Sequence, residues 1–79
     1  MSDVQVDDTL DCKGMLCPLP IVKLSKAVKG METGKVVLLL ATDPGSDPDI
    51  TAWEKRTKNE ILQKEQEGDV FKFWIKKTT

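Results

Sequence analysis

The spacing of hydrophobic and polar positions changes several times along the chain, and each change predicts a secondary-structure element. Leu10 and Cys12 alternate with polar residues, which predicts a first strand over Thr9–Cys12, and the same alternation allows it to extend back through Val4 and Val6. From Pro18 to Met31 the apolar residues recur three and four positions apart, as in an amphipathic helix. The stripe consists of Ile21, Leu24, Val28 and Met31. The run Val36–Ala41 is apolar on both faces, which is typical of a central strand.

Turn-forming residues separate this strand from a second helix, expected over roughly Pro48–Lys58. Ser46 or Asp47 can cap the start of this helix with its side-chain oxygen. Asn59 is suited to the left-handed conformation that ends many helices. The apolar stripe of the second helix is thin, so its packing is expected to depend mainly on Trp53.

Two segments at the C-terminal end, Glu60–Gln66 and Val70–Lys77, predict a hairpin around a glycine-containing turn. The order of elements is therefore β-α-β-α-β-β, in a single domain over residues 1–79 with residues 1–8 as a flexible tail. Trp74 falls on the face of the last strand that points away from the core. Two helices can cover only one face of such a sheet. Either Trp74 therefore joins a semi-exposed apolar patch, or a long side chain or the tail covers it.

Composition narrows the range of functions. A chain of 79 residues can hold only one core. Its 12 Lys and Arg balance 13 Asp and Glu, so no overall charge favours direct binding of nucleic acid or an anionic membrane. The absence of histidine excludes Cys-His and Ser-His catalytic pairs, and two cysteines cannot form a four-ligand zinc site without carboxylates. We therefore expect no metal and no cofactor.

The N-terminal residues also bear on location. They are acidic and lack the basic start and apolar run of a signal peptide, and no stretch of the chain is apolar enough to span a bilayer. We therefore expect a cytoplasmic protein, in which thiols stay reduced and are more often reactive than structural.

The residues best suited to chemistry are those around Cys17, at the start of the first helix. A cysteine at the N-cap faces unpaired N–H groups and the positive end of the helix dipole, and both favour the thiolate. Because Pro18 and Pro20 have no N–H, the Leu19 N–H is expected to be the main backbone donor to the sulfur. The alternative is that Cys17 is a small apolar residue ahead of a helix whose start the prolines define.

Cys12 and the nearby cations allow two interpretations each. Cys12 shares a strand face with Leu10, which favours packing in the core, but it could also resolve an oxidised Cys17. The cations can steer an acidic partner towards Cys17, or they can form an ordinary solvated surface. They are Lys13, Lys23 and Lys26, with Lys29 one turn further on.

Taken in order, these motifs resemble the TusA/SirA-like family, over about Leu10 to Lys77. Cys17-Pro18-Leu19-Pro20 follows an Asp-x-x-Gly motif at residues 11–14 and precedes Thr-Asp-Pro-Gly-Ser at residues 42–46. The resemblance implies an α+β fold, a two-layer α/β sandwich with a four-stranded mixed sheet and two helices on one face. The C-terminal domain of bacterial translation initiation factor three has this architecture. A departure from the family is Lys58, where a glycine often precedes the asparagine.

The resemblance also implies a function. A sulfur carrier of this family holds a persulfide on the cysteine at position 17, which Pro18, Leu19 and Pro20 would support. The implied donor is a cysteine desulfurase or a rhodanese-type protein, and the implied acceptor is a DsrE-type relay protein. The implied pathways are tRNA 2-thiolation, cofactor biosynthesis and sulfur oxidation. We add Asp43 to the lysines as a candidate partner-binding residue. Two rival functions are a dithiol redox protein using Cys12 with Cys17, and a non-catalytic interaction module that presents Trp74.

Overall fold

A computed structural model of the chain describes residues 6–16 and 19–78. They form six elements in the order that the sequence predicts. The strands are β1 (Asp8–Cys12), β2 (Val36–Ala41), β3 (Glu60–Glu67) and β4 (Val70–Lys76), and the helices are α1 (Leu19–Lys29) and α2 (Ser46–Thr57). The predicted α+β fold with a mixed four-stranded sheet is confirmed.

The sheet has the order β1-β2-β4-β3. β1 and β2 are parallel, and the other two pairings are antiparallel. In this register Cys12 lies beside Ala41, so the two parallel strands end at the same edge of the sheet. The helices that follow β1 and β2 therefore both begin near that edge.

Both helices pack on one face of the sheet. The buried core takes Leu24 and Val28 from α1, Ile50 and Trp53 from α2, and alternate residues of the strands. These strand residues are Cys12, Val37, Leu39, Phe73 and Ile75. The apolar stripe predicted for α1 is confirmed, since Ile21 and Met31 are half-buried beside this core. A hydrogen bond of 3.0 Å from Trp53 Nε1 to Ser25 Oγ joins the two helices.

The ends of α2 differ from the sequence-based expectation. The N-cap residue, directly before Ser46, is Gly45 in a helical conformation, and no side chain caps the helix. The prediction of a Ser46 or Asp47 cap was therefore wrong. At the other end Lys58, not Asn59, adopts the left-handed conformation, with φ of 63°. This is the position at which the family often has a glycine. A lysine there carries the steric cost that a glycine avoids.

Trp74 is only 7% exposed, so of the two alternatives the covered side chain is confirmed, and an interaction module that presents Trp74 is not supported. Its neighbour Leu38, from β2, is half-buried. The predicted tail was also too long. Asp7 donates its N–H to the Val36 carbonyl at 2.9 Å, and its carboxylate accepts the Val36 N–H at 2.9 Å. Asp8 already belongs to β1.

Neither α1 nor α2, the helices of the described residues, is long and apolar enough to cross a membrane.

Candidate functional site

Two strand-to-helix connections lie side by side at the carboxyl ends of β1 and β2. We call residues 13–18 the first junction and residues 42–45 the second junction. A hydrogen bond of 2.8 Å from the Gly14 N–H to the Thr42 Oγ1 links them. Gly14 has φ of 82°, a conformation in which a side chain would be strained. The glycine and the threonine thus hold the first junction against the second.

The second junction is held by its own polar groups. The carboxylate of Asp43 accepts the Gly45 N–H at 3.0 Å, and the Asp43 carbonyl accepts the Ser46 N–H at 2.9 Å. The Gly45 carbonyl then accepts the Asp49 N–H at 3.3 Å. These contacts account for the turn in the Thr-Asp-Pro-Gly-Ser motif. Asp43 therefore has a structural role here, and a role in partner binding stays a prediction.

The first junction contains the predicted reactive residue. Cys17 and Pro18 lie outside the described residues, so their predicted roles stay predictions. Leu16 and Leu19, which flank them in the chain, are 73% and 55% exposed. The Leu19 N–H, expected to point at the Cys17 sulfur, donates to the Leu16 carbonyl at 3.0 Å. This contact engages the Leu19 N–H with a carbonyl acceptor, which speaks against the expectation that the same N–H is the main donor to the Cys17 sulfur.

Pro20 anchors the beginning of α1. Its ring is fully buried, and its position in the first turn costs no backbone hydrogen bond because the first N–H groups of a helix have no partner within it. The helix thus starts with an inward proline next to an outward Leu19. Support of the site by Pro20 remains a prediction, but its packing gives a physical reason for it.

Cys12 is a core residue, as its place on the inward face of β1 predicted. Its side chain is fully buried at the last position of the strand. Burial raises the pKa of the Cys12 thiol, although the nearby Lys23 cation lowers it and the Asp11 carboxylate raises it. A buried, protonated thiol is a poor nucleophile at neutral pH. These features weaken the dithiol redox hypothesis.

The predicted cationic residues are all exposed. Lys23 and Lys26 lie on the outer side of α1, and Lys13 lies in the first junction with its Nζ 3.9 Å from Asp11 Oδ2. An ion pair that long and open to water contributes little to stability. The lysines are therefore available to a partner, and binding by them stays a prediction.

Three apolar side chains close to Cys17 in the sequence are exposed, which the sequence analysis did not predict. They are Leu16, Leu19 and Val22, the last being 45% exposed. The signal was present, because Leu19 and Val22 fall outside the stripe formed by Ile21, Leu24 and Val28. Apolar residues on the polar side of an amphipathic helix are candidates for contact with another molecule.

Within residues 6–16 and 19–78, no group of three or more Cys, Asp or Glu side chains is arranged to hold a metal ion. A cavity of about 400 Å³ opens between the C-terminal halves of the two helices. It is lined by Ser25, Val28, Lys29, Trp53, Thr57, Asn59 and Lys77.

Comparison with known proteins identifies the family. Residues 8–77 match the family model described as sulfurtransferase TusA. The chain belongs to the sulfurtransferase TusA family. The resemblance found in the sequence motifs is therefore confirmed, and the match contains all six elements of the fold, from the first residue of β1 to beyond the last residue of β4.

Relatives within the TusA family carry sulfur-carrier names. The chain is 45% identical over 71 residues to a putative sulfur carrier protein, YrkI, of Bacillus subtilis, covering 90% of this chain and 95% of that one. It is 44% identical over 72 residues to the sulfur carrier protein TusA of Allochromatium vinosum, covering 91% of this chain and 95% of that one.

A solved structure supports the TusA-family fold independently. The SirA-like protein from Desulfitobacterium hafniense superimposes with a TM-score of 0.77, covering 91% of this chain and 99% of that one. Its sequence is 23% identical, so this similarity concerns the fold.

Proposed function

We propose that this protein is a sulfur carrier that holds sulfane sulfur as a persulfide on Cys17 and delivers it to partner proteins. The observation that carries the proposal is the difference between its two cysteines. Cys12 is fully buried with a raised thiol pKa, whereas Cys17 lies in the chain between the exposed residues Leu16 and Leu19. The sulfur-carrier names of close relatives support the same function.

The proposed chemistry needs one nucleophilic sulfur and no cofactor. The Cys17 thiolate attacks the terminal sulfur of a donor persulfide, forming a new S–S bond to Cys17 as the donor's S–S bond breaks. The donor cysteine leaves as a thiolate, so the exchange is redox-neutral and its charge is conserved. Delivery to an acceptor thiolate repeats the same step with Cys17 as the leaving group.

Helix α1 supports this chemistry electrostatically. It begins at Leu19, two residues after Cys17, and the positive end of a helix dipole favours nearby thiolate and persulfide anions. We propose that Pro18, Leu19 and Pro20 position the chain at Cys17, with the buried Pro20 as the anchor. Because the Leu19 N–H donates to Leu16, the stabilisation assigned to α1 comes from the dipole rather than from that amide.

The partners belong to the proposal as well. The donor is a cysteine desulfurase or a rhodanese-type protein, and the acceptor is a DsrE-type protein in tRNA 2-thiolation, cofactor biosynthesis or sulfur oxidation. All of these exchanges require reduced thiols, so we propose that they take place in the cytoplasm.

The test is sulfur loading followed by mass spectrometry. The protein is incubated with a cysteine desulfurase and cysteine, and intact mass is measured before and after treatment with a reductant. We expect a gain of one sulfur atom that the reductant removes. Cys17→Ser should abolish the gain, and Cys12→Ala should retain most of it because that side chain does not take part. A rhodanese with thiosulfate provides a second donor.

Two controls make the loading result interpretable. Circular dichroism establishes that both variants are folded, and peptide mapping locates the sulfur. Loading of both cysteines to the same extent would contradict the carrier proposal. A clean intramolecular disulfide in the purified protein would favour the dithiol redox function instead. No loading from either donor or from inorganic polysulfide would leave only a non-catalytic function.

A further inference from the structure

Thr42 opens the Thr-Asp-Pro-Gly-Ser motif, and the sulfur chemistry proposed above makes no use of its hydroxyl. Its half-buried side chain follows Ala41, the last residue of β2. Because β2 is paired on both sides, with β1 and β4, its carboxyl end is held firmly. Asp43 closes the turn that follows through its own bonds to the Gly45 and Ser46 N–H groups. The threonine hydroxyl is therefore not needed to form the second junction.

The Thr42 hydroxyl is directed at the first junction, where its oxygen accepts the Gly14 N–H at 2.8 Å. The other hydrogen bonds in the described part of this junction are local. They run from Lys13 to Asp11, from Met15 to Cys12 and from Leu19 to Leu16. Met15 also packs against the core, but an apolar contact is not directional. In the described part of the chain, the bond to Thr42 is therefore the hydrogen bond that orients the first junction on the sheet.

The orientation of the first junction matters because the electrostatic effect of a helix end is local. It falls off within about one turn of the helix. α1 begins at Leu19, and the bond from the Leu19 N–H to the Leu16 carbonyl attaches the first junction to the helix at one point. A second attachment, to the sheet, is needed to fix the direction in which the junction runs. Loss of that attachment would weaken the stabilisation of an anionic sulfur and leave less thiolate at neutral pH.

We propose that Thr42 is a positioning residue for the sulfur chemistry of Cys17, and that it acts by holding Gly14 to the end of β2. The threonine touches neither the sulfur nor a partner in this role. Its hydroxyl keeps the first junction in the orientation in which α1 favours the anionic form of Cys17. The proposal rests on the function proposed for Cys17 and adds to it a residue of the other junction.

The experiment measures the reactivity of the Cys17 thiol in a Cys12→Ala background, in which no other thiol can react. The rate of alkylation by iodoacetamide is followed from about pH 6 to about pH 10. Thr42→Val preserves the shape of the side chain and removes the hydrogen-bond acceptor. We expect its rate profile to move to higher pH, with the rate at about pH 7 lowered about two- to threefold. The rate at the alkaline plateau should not fall, because a more basic thiolate is not a weaker nucleophile.

Two further variants separate positioning from a general loss of stability. Thr42→Ser keeps the hydroxyl and should restore the original profile. Thr51→Val is a matched control, because Thr51 is another half-buried threonine and its hydroxyl donates to the Asp47 carbonyl at 2.9 Å. It should leave the profile unchanged, whatever its effect on stability. Urea unfolding measures the stability of each variant, and Thr42→Ala replaces Thr42→Val if the valine variant does not fold.

Sulfur loading connects thiol reactivity to the carrier function. Inorganic polysulfide is a small donor that needs no protein partner. We expect Thr42→Val to take up sulfur from polysulfide about two- to threefold more slowly than the unaltered protein at about pH 7. At the alkaline plateau of the alkylation profile the two proteins should load at similar rates. Thr51→Val should load at the unaltered rate throughout.

The outcomes distinguish this role from the function on which it rests. An unaltered alkylation profile in a folded Thr42→Val protein would overturn the positioning role and leave the carrier function standing. The role would also be overturned if Thr51→Val moved the profile equally, or if Thr42→Ser failed to restore it. If the unaltered protein takes up no sulfur from polysulfide, the carrier function fails. A displaced alkylation profile would then still assign Thr42 to the reactivity of the Cys17 thiol.

Discussion

The first and second junctions leave the same edge of the sheet, from the paired residues Cys12 and Ala41, but they use their side chains differently. The second junction directs its polar groups inward, with Asp43 accepting the Gly45 N–H, and it leads into the buried Ser46. The first junction leaves Leu16 exposed and leads into the exposed Leu19. One connection therefore supports the structure, and the other is free to meet a partner.

This comparison suggests why a small domain can present apolar residues without losing stability. The core is built from the strands, α2 and the inner side of α1, so substitutions on the outer side of α1 are expected to change the stability of the domain little. The hydrogen bond from Gly14 to Thr42 fixes the first junction against the second.

The largest difference is expected between Ile50 and Val22. Ile50 is fully buried in the first turns of α2, and Ile50→Ala should lower the free energy of unfolding by about 2–5 kcal/mol through lost burial and a cavity. Val22→Ala on the outer side of α1 should change it by no more than about 0.5 kcal/mol. Urea unfolding followed by circular dichroism measures both. Comparable losses would mean that the outer side of α1 contributes to folding.

The glycines of the two junctions should respond in opposite directions. Gly14 has φ of 82° with open space where a Cβ would lie, so Gly14→Ala meets only backbone strain and should cost about 1–2 kcal/mol. Gly45 has a helical φ of −68°, and its added Cβ would lie 3.5 Å from Asp43 Oδ1, an ordinary contact. Gly45→Ala should therefore gain up to about 1 kcal/mol by restricting the unfolded chain.

Thermal or urea unfolding of the two glycine variants decides the matter. Gly14→Asn serves as a control, because asparagine tolerates the left-handed region better than alanine and should recover part of the loss. If Gly14→Ala were as stable as the unaltered protein, the first junction would not be held in the conformation described here.

The smallest effect is expected in the pH dependence of the free energy of unfolding, and it distinguishes Cys12 from its paired residue Ala41. Burial raises the folded-state pKa of the Cys12 thiol above its unfolded value of about 8.5. The protonated thiol therefore contributes its full stability below about pH 8.5, and that contribution is lost as pH rises through the folded-state pKa. Cys12→Ala, which makes the two positions alike, should remove this part of the alkaline decline.

Unfolding in urea at about pH 7 and about pH 9.5 measures the pH effect, with Cys17→Ser in both proteins so that Cys12 is the one thiol of the first protein and the Cys12→Ala protein has none. The difference in unfolding free energy between the two pH values should be smaller in the Cys12→Ala protein. An equal decline in both would mean that other groups cause it.

Much of the fold could be predicted because periodicity and burial agree in most elements. Val36–Ala41 is apolar at every position and forms a central strand. The stripe through Leu24 and Val28 forms the inner side of α1. Asp7 and Asp8 were assigned to the tail because their pairing with β2 uses backbone groups and the Asp7 carboxylate, which leave no hydrophobic pattern in the sequence.

Other features depend on tertiary structure and could not be predicted locally. Propensity favoured Asn59 for the left-handed position, but Lys58, directly after the last residue of α2, adopts it. The Asn59 side chain is buried and accepts the Thr78 N–H. The register shift between Ile61 and Gln63 falls in a largely polar strand, where alternation is too weak to reveal it.

The surroundings of the candidate site were harder to predict than the position of its second thiol. Strand alternation correctly assigned Cys12 to the core, whereas the chemistry assigned to Cys17 stays a prediction. The linking hydrogen bond from Gly14 to Thr42 joins residues far apart in the chain, so nothing in the local sequence indicates it. The exposure of Leu16 likewise depends on how the first junction leaves the sheet.

The two buried indoles have a consequence for spectroscopy. Trp53 and Trp74 are the only tryptophans in a chain without tyrosine, and they are 1% and 7% exposed on opposite faces of the sheet. The intrinsic fluorescence of this protein therefore comes almost entirely from two buried tryptophans, neither of which belongs to the first junction. A spectral shift to the red would signal opening of the domain, whereas a partner that occupies only the outer side of α1 would leave the emission maximum unchanged.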